Sequence, residues 1–65
     1  MKAYQLRVVA EKKILDENAH ELSDFIGLSA AFLELSTTEQ KLLKEQGDIM
    51  WQLSEVLGKR ISAFN

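Results

Sequence analysis

Residues 36–64 read STTEQKLLKEQGDIMWQLSEVLGKRISAF, and how this stretch folds decides the architecture. Ser36 is followed three residues later by Glu39, the hydroxyl-to-carboxylate spacing with which a helix satisfies its first free N–H groups. Leu42, Leu43, Ile49, Met50, Leu53, Val56, Leu57, Ile61 and Phe64 then recur at steps of three, four and seven, which gathers them on one broad side of an α-helix. No proline interrupts them. Leu42, Ile49 and Val56 form one row, and Leu43, Met50, Leu57 and Phe64 an adjacent one, with Leu53 on their flank. One facing helix covers roughly one such seam, so the spare row predicts contact with a second subunit.

Outward from this stretch, residues 2–26 predict its mate. Tyr4, Val8, Leu15, Ala19, Leu22 and Phe25 or Ile26 fall on one helical face, with Glu11 and Asn18 at its edge and Val9 and Ile14 widening it. At 1.5 Å per residue this helix is about 37 Å long, close to the length of the second. Gly27, just past the last apolar pair, predicts the helix stop, since glycine accepts positive φ cheaply. Within the connection, residues 27–35, Ser29 is placed to cap one short extra turn whose Phe32, with Leu35, plugs the open end of the pair. Gly47 and Gly58 each cost about 1 kcal/mol against alanine inside a helix, which fits either close approach of a neighbour or tolerance on an exposed face. The expected fold is therefore all-α: one domain, residues 1–65, built as an antiparallel two-helix hairpin (2–26 and 36–64) that dimerises into a four-helix bundle.

Size supports the dimer. A chain of 65 residues buries only about 60% of its unfolded surface, and with no cysteine it has neither disulfides nor thiolate zinc sites to reinforce it, which leaves oligomerisation. No apolar run approaches the roughly 20 residues of a membrane span, so a soluble, intracellular protein without membrane contact is expected.

In an antiparallel hairpin the end carrying both termini gathers Lys2, Arg7, Lys12, Lys13, Lys59 and Arg60, opposed by Glu11 and Glu55. The loop end gathers Asp16, Glu17, Glu21, Asp24, Glu34, Glu39, Glu45 and Asp48, diluted by Lys41 and Lys44. Such poles are either simply solvated faces or a means of steering partners of opposite sign. Trp51, beside Met50, reads as a core edge or as an interface anchor.

The residues predict no enzyme. Ser23 and Ser54 lack a paired base, no glycine-rich phosphate loop follows a strand, and a hairpin of this size offers no deep cleft. Asp16, His20 and Asp24 share an i,i+4 spacing, but carboxylates around a lone imidazole are an unspecific metal set, and neither a metal nor a cofactor is expected. A net charge of −2 and the lack of a recognition helix argue against direct nucleic-acid binding. The acidic end suits the reverse arrangement, in which this chain occupies the basic surface of a DNA- or nucleotide-binding partner.

The segments YQLRVVAEKKILDENAHELSDFI, SAAFLELSTTEQKLLKEQ and MWQLSEVLGKRISAF resemble a large family of small helical-hairpin accessory proteins of tailed phages. The recurring features are Tyr4, Arg7, Val8, Glu11-Lys12, Leu15-Asp16, Leu22 and Phe25-Ile26, followed by Phe32, Leu35, Glu39-Gln40, Leu42-Leu43, Gln46, Met50, Leu57, Arg60-Ile61 and Phe64. Most are packing positions, so the resemblance speaks to fold and origin before activity. It implies a homodimer in the host cytoplasm that disables host proteins by binding them. The family is similar to the phage quorum-sensing anti-activators, which bind a LuxR-type transcription activator and also affect a pilus-assembly ATPase. Trp51, where relatives carry a smaller aromatic, and Gly47 and Gly58 depart from the family pattern.

Together these readings assign Val8, Leu15, Leu22, Leu42, Ile49, Met50, Leu53, Leu57, Ile61 and Phe64 to the core and dimer seam. Asp16, Glu17, Glu21, Trp51 and Arg60 are the candidate partner-binding residues. The leading expectation is a host-takeover protein that occludes the functional surface of a host protein, such as the DNA-binding region of an activator. Two alternatives remain: a sponge for a signalling nucleotide of host defence, with Arg60 and the basic end on phosphates, and a structural or regulatory dimer without a host target.

Overall fold

The computed structural model describes residues 1–64, and all regular structure among them is helical: α1 (Ala3–Leu28), α2 (Ala30–Leu33) and α3 (Thr37–Ser62). Each start has a local cause. The Lys2 amide donates to the Gln5 side chain at 2.8 Å at the head of α1. Ser29 Oγ accepts from the Ala31 amide at 3.2 Å to open α2, and Ser36 Oγ accepts from the Glu39 amide at 3.1 Å to open α3. Glu39 in the first turn of α3 and Lys59 and Arg60 in its last turn are placed favourably for the helix dipole.

The contacts between the long helices run in opposite directions along the chain. The Tyr4 ring meets Phe64 edge-on at 6.0 Å, Lys12 reaches Ser54, and Ser23 lies against Trp51. α1 and α3 are thus antiparallel, in a rod of 47 × 15 × 14 Å. They meet along two facing rows at alternating steps of three and four: Gln5, Val8, Lys12, Leu15, Ala19 and Leu22 on α1, and Gly47, Met50, Ser54, Leu57 and Ile61 on α3, all buried or half-buried. Phe32 of α2 is buried beneath the open end, edge-on to Phe25 at 6.0 Å. Gln40 ties that connection down, its side-chain amide donating to the carbonyls of Phe32 (3.2 Å) and Leu35 (3.1 Å).

Several boundaries and placements differ from the sequence-based expectation. α1 does not stop at Ile26 but passes through Gly27 to Leu28, and Gly27 has no positive φ. The break comes from Ser29, whose extended backbone ends α1 while its hydroxyl starts α2, so one residue serves both helices. The connection shrinks accordingly, and α3 ends at Ser62, two residues short of Phe64. Of the residues assigned to core and seam, Val8 and Leu57 are buried, and Leu15, Leu22, Met50, Ile61 and Phe64 are half-buried. Leu42, Ile49 and Leu53 face outward.

Gly47 and Gly58 both lie along the α1–α3 contact rather than on the open surface. A Cβ at Gly47 would rest 3.6 Å from Leu22 Cδ2, and one at Gly58 would rest 3.4 Å from Lys12 Cε, so the close approach at Gly47 still leaves room for a methyl group. Gly47→Ala should therefore raise stability by about 1 kcal/mol through helix propensity, read as a higher denaturation midpoint in urea. A lower midpoint would mean that α1 requires the bare backbone there.

Candidate functional site

The two flanks of the α1–α3 seam differ in character. On one, polar and aromatic groups bridge the helices. Lys12 Nζ contacts Asp16 Oδ2 at 2.7 Å and Ser54 Oγ at 3.1 Å, and the Ser54 hydroxyl donates to the other Asp16 oxygen. The Lys12 ammonium and Ser54 hydroxyl hold the Asp16 carboxyl below its ordinary value by hydrogen bonding to its charged form, with the Lys12 and His20 charges adding to the effect. Ser54 itself is buried, and a small residue at this position on α3 is what lets the Lys12–Asp16 pair reach across the seam.

One turn beyond Asp16 on α1, the His20 ring stands edge-on to Trp51 at 5.0 Å, and Trp51 Nε1 points to Ser23 Oγ at 3.4 Å. Trp51 remains partly exposed and forms one wall of an open groove of about 410 Å³, completed by Ser23, Ile26, Gly27, Lys44, Gly47 and Asp48. The groove is a shallow furrow between two helices, suited to contact with a flat or extended group. No group of three or more His, Cys, Asp or Glu side chains converges among the described residues, and His20 packs against indole instead of a nucleophile.

The opposite flank is apolar. Leu42, Ile49, Leu53 and Val56 project from α3 without cover. Depressions of about 400 Å³ and 310 Å³ run beside them, between Phe25, Leu35, Leu42 and Leu43 and between Leu42, Gln46, Ile49 and Met50.

Of the candidate partner-binding residues, Glu17 and Glu21 are exposed on α1, Trp51 walls the groove, and Arg60 is exposed in the last turn of α3. Asp16 belongs elsewhere: it is half-buried and engaged with Lys12 and Ser54. Lys12 is likewise drawn out of the basic cluster into the seam. Sequence reasoning passed over this pairing, although its signal was present, since Gln5, Lys12 and Ser54 are polar residues standing in otherwise apolar three-four rows. At the terminal end, Arg7, Lys13 and Arg60 form no ion pair among the described residues, and Lys59 meets only the exposed Glu55 at 3.7 Å. No helix is long and apolar enough to cross a membrane among the described residues.

The Sequestin family matches residues 2–63. The chain is also 44% identical over 64 residues to a 7.5 kDa protein of the denB–rIIB intergenic region of Enterobacteria phage T4, a match covering 98% of each chain. Neither name refers to a quorum-sensing anti-activator. No solved structure matches the chain.

The lowered Asp16 pKa sets an acid dependence. A carboxylate whose folded value is depressed stabilises the fold fully above its unfolded value, and that contribution is lost as pH falls through the folded value. Between about pH 5 and pH 2 the wild-type denaturation midpoint should therefore fall more steeply than that of Asp16→Asn. Parallel curves for the two proteins would show that the bridge contributes nothing to stability.

Proposed function

The chain belongs to the Sequestin family, and from that premise we propose that it is a non-catalytic phage protein that works in the host cytoplasm as a homodimer, capturing a host-made signalling nucleotide in stoichiometric amounts. The family name denotes sequestration, and a sponge is the form of host takeover that this word fits most directly. The observation that carries the ligand class is the basic terminal end, where Arg7 and Lys13 of α1 are exposed and make no ion pair among the described residues. Exposed guanidinium and ammonium groups on rigid helices suit phosphate oxygens, to which arginine makes strong, charge-assisted hydrogen bonds. The open surface suits capture too, because a sponge needs only to hold its ligand and not to exclude water from reacting atoms.

A second reading keeps the host target a protein, such as a LuxR-type activator or a pilus-assembly ATPase. The exposed Trp51 beside Asp48 favours it, because an aromatic wall with a carboxylate nearby suits the basic surface of a partner.

Calorimetry with cyclic di- and trinucleotides separates the two. The sponge reading expects saturable binding that weakens as salt rises, recovery of the ligand unchanged after the protein is denatured, and a loss on the order of tenfold in affinity for Arg7→Ala or Lys13→Ala. No heat with any such nucleotide would overturn it. Charge reversal at Glu17 and Glu21 should leave nucleotide binding unweakened, whereas it should weaken capture of a basic protein partner.

A further inference from the structure

The apolar flank of α3 has a geometry that selects its occupant. Leu42, Ile49, Leu53 and Val56 are 59%, 55%, 44% and 50% exposed, and their spacing of seven, four and three keeps them in one row along the helix. The interior of the protomer is thin, with Leu57 its largest fully buried side chain. A chain this short, showing this much aliphatic surface, needs a cover that is present whenever the protein is. Its own second copy meets that condition.

We infer that two copies pack α3 against α3 in antiparallel register about a two-fold axis at Ile49. This rests on the homodimer reading above and goes beyond it by fixing direction and register. Three observations converge. First, the row is self-complementary: Leu42 and Val56 lie equally far from Ile49, so a two-fold there sets Leu42 of one copy on Val56 of the partner subunit and Ile49 on its own equivalent, while Leu53 falls beside the partner's Gln46. Second, Ile49 stands at the middle of α3 (Thr37–Ser62), so the register overlaps the two helices along their full length. Third, each protomer is basic at its terminal end and acidic at its loop end. Antiparallel packing lays the basic end of one copy beside the acidic end of the other, whereas parallel packing sets like beside like. Antiparallel helix dipoles act in the same direction.

The chain has no cysteine, so single introduced cysteines report the register cleanly. A disulfide needs Cα atoms about 4.4–6.8 Å apart. Under mild oxidation Ile49→Cys should cross-link to itself, Leu42→Cys and Val56→Cys should each stay uncross-linked when alone, and the mixture of those two should form the cross-linked pair. Rapid self-cross-linking of Leu42→Cys and Val56→Cys would overturn the antiparallel register in favour of a parallel one, leaving the homodimer standing. Sedimentation of the unmodified chain gives the independent check. A mass of twice 7.4 kDa is expected, and a monomer would overturn the inference together with the homodimer reading while leaving nucleotide binding to be judged by calorimetry.

Discussion

The structure depends on one line of contact. α1 and α3 touch along a pair of three-four rows, and these rows hold glycine, alanine and serine among the larger side chains: Ala19 on α1, Gly47 and Ser54 on α3. Small residues let the helices come close, but they bury little apolar surface, so the seam contributes less than a leucine-lined one of equal length. Its polar centre compensates in specificity. Lys12, Asp16 and Ser54 satisfy one another across the seam, and no buried side-chain nitrogen or oxygen is left without a partner among the described residues. Sliding α3 by one turn would separate Ser54 from this pair and leave polar groups unmatched, a cost that leucines alone would not impose.

This constraint shapes both flanks. Because the seam is narrow, much of the aliphatic surface of α3 stays outside it on one side. On the other side the same narrowness leaves the furrow beside Trp51, Ser23 and Gly47 open. Among the described residues, surface depressions lie on both flanks of the seam. An open surface of this kind fits the proposed capture role, as does membership of a family named for sequestration with a phage-encoded relative.

Much of the fold was legible in the residues. Ser36 and Glu39 announced the start of α3, Ser29 announced the extra turn, and Phe32 was identified as the plug, because these are local signals whose meaning depends on a few neighbouring residues. Gly27 misled for the same reason. Glycine permits a stop but does not compel one, and here the next extended residue, Ser29, ended the helix. The candidate site was less legible. Asp16 looked like part of an acidic surface because its charge is visible in the sequence, whereas Ser54, thirty-eight residues away, gives it a different occupation.

By itself, the sequence determined that the chain is helical, where its helices begin, and that their apolar side is wider than one neighbour can cover. Periodicity and capping are local properties and can be read from spacing. Only the tertiary structure decided which row faces inward. The row containing Gly47, Ser54 and Leu57 lies against α1, and the row of Leu42, Ile49, Leu53 and Val56 lies outside. Hydrophobicity would have favoured the reverse choice, since the outer row is the more aliphatic. The inner row won because its small residues admit α1 closely and its serine completes the Lys12–Asp16 bridge, a criterion that exists only once two distant segments are brought together.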